Sequence, residues 1–183
     1  MILLQKRLEA AGFNVVRYSY QSVSRTIQEN AEGLRFFLRE RGLSACSFVC
    51  HSYGGLVVCK YLGSLYNGRP VKVVFMGTPL NGATLARRLE ALSFVRLITG
   101  HSLTPLKEGC KPGLLHHRCI MIAGSLNIGL GMFFFKARAD GMVKIEDTQA
   151  FWLERHHVLR CSHLALLFSK RASRICIEYL NQY

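Results

Sequence analysis

Ser52 lies in the stretch Phe48-Val49-Cys50-His51-Ser52-Tyr53-Gly54-Gly55-Leu56-Val57-Val58. Ahead of it is a short apolar run, and behind it a glycine pair opens a segment of helical pattern. A sharp strand-to-helix turn lifts a serine hydroxyl clear of the sheet, where it can act as a nucleophile. The turn is strained, so residues two positions away must be small. Gly54 meets that need on the helix side, and Cys50 meets it approximately on the strand side. The helix N-terminus favours developing negative charge, and the Tyr53 backbone N–H is one expected oxyanion donor. The competing reading of Ser52 is an ordinary N-cap before a Gly-Gly helix start.

A serine nucleophile needs a base to take its proton and an acid to orient that base. Carboxylates follow Ser52 in one polar loop over residues 136–148, at Asp140, Glu146 and Asp147. Asp140 also fits a plain Asp-Gly turn. Three histidines come later, His156, His157 and His163. His51 precedes the serine and is expected to shape the turn, while His101, His116 and His117 receive no role.

Taken together these segments resemble α/β-hydrolases of the lipase and esterase branch. CHSYGG is similar to a G-H-S-x-G-G nucleophile elbow, and Met76-Gly77-Thr78-Pro79-Leu80-Asn81-Gly82 is similar to the G-T-P-x-x-G segment of bacterial triacylglycerol lipase-like members. Ala139-Asp140-Gly141-Met142-Val143 and Ser162-His163 continue the resemblance over nearly the whole chain. It implies a triad of Ser52, Asp140 and His163, with Tyr53 at the oxyanion and no metal or organic cofactor. It also implies a His-Gly strand before the first helix, whose loop would supply a second oxyanion donor. No His-Gly dipeptide occurs upstream of Ser52. The expected fold is thus an α/β-hydrolase-like, mostly parallel sheet with helices on both faces, N-terminally truncated relative to the family.

The surrounding pattern alternates helix and strand, as a parallel sheet requires. Helical spacing covers residues 2–11, a segment from a Ser24 N-cap to Gly42, 56–66, 83–98 and 164–181. Strand-like runs are 14–20, 46–50, 71–76, 119–123 and a short last one at 158–160. Residues 99–117 read as a loop or small cap. There is no repeat or linker, so one domain over 1–183 is expected.

Half of the 183 residues are apolar and 19% are charged, which excludes a disordered chain. The 24 Lys and Arg against 11 Asp and Glu give a net charge of +13. The basic residues are scattered and no nucleic-acid motif accompanies them, so a solvated basic surface is expected and nucleic acid is not. Anionic lipid headgroups are the alternative partner. Seven cysteines without a Cys-x-x-Cys pair read as reduced thiols, and no export signal is visible, pointing to the cytoplasm. The apolar run at 126–135 is read as buried core, with an acyl pocket or lipid contact as its competitor. The expected function is hydrolysis of carboxylic esters, including lipid esters; the alternative is a catalytically impaired or truncated module with a binding role or none.

Overall fold

The computed structural model describes residues 1–89, 100–110, 114, 116–134 and 138–182. Its described strands are β1 (Phe48–His51), β2 (Lys72–Met76), β3 (Arg118–Gly124) and β4 (Arg155–Leu159). They form a parallel sheet in the order β1-β2-β3-β4, with Phe48 beside Val73, Val73 beside Cys119 and Ile120 beside Arg155. The helices are α1 (Ile2–Ala10), α2 (Ile27–Glu40), α3 (Tyr53–Ser64), α4 (Thr84–Leu89), α5 (Leu103–Glu108) and α6 (Lys170–Leu180).

The central strands are covered on both sides, which is why they read as unbroken apolar runs. Val73, Phe75, Cys119 and Met121 share one core cluster with Leu34 of α2 and Leu56 and Tyr61 of α3. Their neighbours Val74, Met76, Ile120 and Ile122 share the other with Leu4 and Leu8 of α1 and Ala172, Cys176 and Tyr179 of α6. Each large side chain buried this way stabilises the fold by about 1.5–3 kcal/mol before entropy is subtracted.

Several expected boundaries move. The N-cap of α2 is Thr26, not Ser24. Its hydroxyl accepts from Glu29 N at 3.2 Å, and Glu29 accepts from Thr26 N at 2.7 Å, a complete capping box. The last strand runs over Arg155–Leu159 because Arg155 to Leu159 align with Ile120 to Gly124, so His156 and His157 lie on the strand itself. Residues 14–20 form no ladder, although their composition favours a strand. A strand exists by pairing, and here side chains hold the segment instead. Tyr18 Oη donates to Asn30 O at 2.9 Å, and buried Asn30 exchanges hydrogen bonds with the Gln21 backbone. A groove of about 720 Å³ separates this segment from β1, the edge strand of the described sheet.

The expected helix 83–98 is described only over Thr84–Leu89, and the rest lies outside the described residues. The described part of the expected cap is a single-turn 3₁₀ segment at Gly100–Ser102 followed by α5. Ala83 N donates to Leu106 O at 2.6 Å and Cys110 N to Leu80 O at 2.8 Å, tying α5 to the chain after β2.

The run at 126–135 is not core. Leu130–Phe133 makes a 3₁₀ turn whose Gly131 is buried, while Ile128, Leu130, Met132 and Phe133 face solvent. The reason is where Gly131 lies. Gly131 N donates to Gly141 O at 2.7 Å, so backbone rather than side chain meets the neighbouring loop. Phe135 lies outside the described residues.

Candidate active site

A single residue, Ser52, separates the end of β1 from the start of α3. It has φ 53° and ψ −128°, and it is the only non-glycine with positive φ among the described residues. Such a conformation is strained by about 1–3 kcal/mol and persists only where its surroundings over-determine it. They do so here. Ser52 N donates to Met76 O at 2.9 Å, which extends the ladder one residue past β1. Ser52 O accepts from Gly55 N at 3.0 Å and from the hydroxyl of buried Thr78 at 3.0 Å. A Cβ at Gly55 would collide with Thr78, whereas one at Gly54 would lie 3.1 Å from Tyr20 Oη. The tightest approach on the helix side is therefore at Gly55, one residue beyond the glycine that spacing singles out.

The Ser52 side chain is half-buried, and its hydroxyl makes no hydrogen bond among the described residues. The Tyr53 N–H belongs to the first turn of α3, where a helix leaves its N–H groups without internal acceptors.

Asp140 and His163 are drawn together from positions 23 residues apart. His163 Nδ1–H donates to Asp140 Oδ2 at 2.7 Å, with the carboxylate 1% exposed and the histidine 8% exposed. The other carboxylate oxygen, Oδ1, accepts from Met142 N at 3.0 Å and Val143 N at 2.8 Å. His163 N also donates to Asp140 O at 2.7 Å, so backbone and side chain lock the two loops together. With Nδ1 donating, the lone pair of the imidazole is on Nε2.

Two residues join this pair to the serine turn. Gly77 directly follows Met76, the acceptor of Ser52 N, and has φ 57°. A Cβ there would lie 3.0 Å from His163 Nδ1 and 3.3 Å from Asp140 Oδ2, so the pair packs on bare backbone. His51 Nε2–H donates to His163 O at 2.9 Å, and the two rings are 4.6 Å apart. Burial, then the neighbouring His163, pushes the His51 pKa down to about 4, so His51 is a neutral donor at neutral pH.

The other candidates are occupied elsewhere. Asp147 accepts from Thr84 N at 2.8 Å and Thr84 Oγ1 at 2.7 Å, anchoring the start of α4. Glu146 is exposed and its backbone oxygen accepts from Asn81. His156 Nε2–H donates to Thr148 Oγ1 at 2.9 Å, and the Thr148 hydroxyl donates onward to Ile145 O. His157 is half-buried on β4, its pKa lowered first by burial and then by Arg155. Among the described residues no His, Cys, Asp and Glu side chains gather into a metal-binding group. Sequence reasoning assigned no role to Gly55, Gly77 or Thr78. The signal available for the last two was the Gly-Thr-Pro segment directly after β2.

Solved structures share this architecture. A lipase of Bacillus licheniformis in its mature form matches over 85% of this chain and 75% of its own, with a TM-score of 0.65 and 19% identity. The metagenomic carboxyl esterase MGS0156 matches over 88% of this chain and 58% of its own, with a TM-score of 0.66 and 16% identity. A carboxylesterase of the thaumarchaeon Nitrososphaera gargenis matches over 98% of this chain and 85% of its own, with a TM-score of 0.64 and 15% identity. No protein-family model and no curated protein matches the sequence. The chain thus has the α/β-hydrolase fold, of the form seen in lipases and esterases.

Proposed function

We propose that this protein is a serine hydrolase of carboxylic esters, with Ser52 as nucleophile, His163 as base and Asp140 as the orienting acid. The observation that carries the reading is the buried Asp140–His163 hydrogen bond, packed against Gly77 beside the strained serine turn. That the fold is shared with lipases and esterases supports the ester class.

In this mechanism the Ser52 oxygen attacks the acyl carbon while His163 Nε2 takes the hydroxyl proton. Charge builds on the former carbonyl oxygen, facing the Tyr53 N–H and the N-terminal end of α3. Asp140 stabilises the imidazolium. His163 then passes its proton to the departing alkoxide, and the acyl group stays on Ser52. A water, deprotonated by His163 in turn, releases the carboxylic acid and regenerates the serine. The Asp140 contact performs the necessary orientation, because it keeps the ring proton on Nδ1 and the lone pair on Nε2.

A second reading, a binding module on the same fold, is favoured by one observation. Among the described residues the Ser52 hydroxyl makes no hydrogen bond, to His163 or to any other group. Fluorophosphonate labelling of the folded protein, alongside Ser52→Ala, separates the two. Labelling that disappears in the variant is expected. A folded protein that resists the probe would overturn the hydrolase reading in favour of the binding module.

A further inference from the structure

The rim of the candidate site is apolar and stands in solvent. Phe133 is 82% exposed and Leu164, next to His163, is 66% exposed. Ile128, Leu130 and Met132 project from the same turn as Phe133, and Met142 from the loop of Asp140. Backbone hydrogen bonds tie this turn to the loop of the Asp140–His163 pair. Gly131 N binds Gly141 O, one residue past Asp140, and His163 N binds Asp140 O. Apolar side chains clustered at that exposure mark a surface that meets another phase or molecule.

The charged residues within this stretch of sequence are of one sign. Between Leu126 and Ala139 the sequence carries Lys136 and Arg138 and no carboxylate. Arg138 is exposed, and exposed Arg88 donates to Phe134 O. Asp140 itself is buried in its pair with His163. An apolar ridge flanked by guanidinium groups complements a surface with acyl chains below and phosphate above. A second copy of this chain is a poor match, because each molecule carries +13. No described helix is long and apolar enough to cross a membrane.

We propose that the turn over residues 128–134, with Met142 and Leu164, docks this protein onto an anionic phospholipid bilayer. The turn enters the headgroup–acyl boundary, a depth of roughly 5–10 Å, and Arg88 and Arg138 meet phosphate. This brings lipid esters to the mouth beside Ser52, so the inference rests on the hydrolase reading for its purpose but not for its geometry.

The test uses the full chain carrying Ser52→Ala, which binds without turnover, in sedimentation with vesicles. One set is neutral phosphatidylcholine and the other contains about 30 mol% phosphatidylglycerol. Partition onto the anionic vesicles is expected to exceed that onto neutral ones by about ten-fold or more, and to weaken as salt rises. A Met132→Ser/Phe133→Ser variant, altered only at exposed positions, should lose about ten-fold of it. A folded protein that ignores anionic vesicles would overturn the proposal, as would binding equal to the parent in the Met132→Ser/Phe133→Ser variant. So would a concentration-dependent dimer abolished by the same two substitutions, which would show a second copy covering the ridge. Vesicle binding without fluorophosphonate labelling of the parent would instead refute the hydrolase reading and leave the docking intact.

Discussion

Replacing Asp140 by Asn tests the site at its least ambiguous contact. The side chain keeps its shape, and its oxygen has one good place to go. Oδ1 accepts from Met142 N and Val143 N, both held by the loop. Turning the amide the other way would set an NH₂ group against two N–H donors, leaving each unsatisfied at about 1–3 kcal/mol. The Asn Nδ2 must therefore face His163 Nδ1, now 2.7 Å from Asp140 Oδ2, and donate into it. The ring proton then moves to Nε2, and the lone pair that should take the Ser52 proton is gone. The equivalent change in a serine-protease triad lowers kcat by about 10⁴ for the same tautomeric reason. A fall of about 10³–10⁴ is expected here, some 4–5.5 kcal/mol in the transition state. The assay is hydrolysis of a short p-nitrophenyl ester and the rate of fluorophosphonate labelling, with thermal melting as the check on folding. The melting temperature should change little, since both backbone bonds survive. A folded Asp140→Asn protein with activity within about ten-fold of the parent would refute the reasoning.

Three further perturbations follow from the same geometry. Gly55→Ala forces a Cβ into Thr78 and should destabilise by about 1–3 kcal/mol, read as a melting temperature lower by several degrees; an unchanged melt would show that the serine turn is looser than described. Thr78→Val removes the 3.0 Å bond to Ser52 O with little change of shape, and should cost about 1–2 kcal/mol while slowing labelling of Ser52; labelling at the parental rate would show that this bond does not position the serine. The third concerns acid. His51 and His117 have folded pKa values lowered to about 4 from 6.5, chiefly by burial, so the unfolded chain binds more protons between those values. Their stabilising contribution is complete above about pH 6.5 and is lost as the pH falls towards 4. Denaturant midpoints measured across that range should decline, and His51→Gln, which keeps a donor for His163 O, should make the decline shallower. A parallel decline in the variant would exclude His51 as a source.

Much of the fold was legible because it is encoded over short distances. VKVVFM and CIMIA announce strands buried on both faces, since no alternation is needed where no face is wet. The capping box Thr26-x-x-Glu29 was also present in the sequence, although Ser24 is the N-cap that helical spacing suggests. Residues 14–20 show the limit of this logic. Their β-branched and aromatic residues state a preference, but a strand needs a partner at ladder distance, and Asn30 and Tyr18 hold the segment by side chains instead. At 126–135 hydrophobicity suggested core, yet it is Gly131 that turns inward while Ile128, Leu130, Met132 and Phe133 face outward.

The site divides along the same line. Local chemistry marked the serine turn, because a buried strand, a serine and a glycine pair are contiguous and their conformations couple through neighbouring dihedrals. It also left candidate acids in one loop and candidate bases at three histidines near the end of the chain, from which the family resemblance picks Asp140 and His163. What three-dimensional packing adds is the partner of each of these side chains. Asp147 is spent on the start of α4, His156 on Thr148, and Asp140 meets His163 across two loops whose backbones are themselves hydrogen-bonded. The closeness of Gly77 to that pair, and of Gly55 to Thr78, is equally invisible in one dimension. Periodicity and turn chemistry act over a few residues, whereas the Asp140–His163 and His51–His163 contacts join residues 23 and 112 positions apart. Such meetings exist only once sheet register and loop paths have been set.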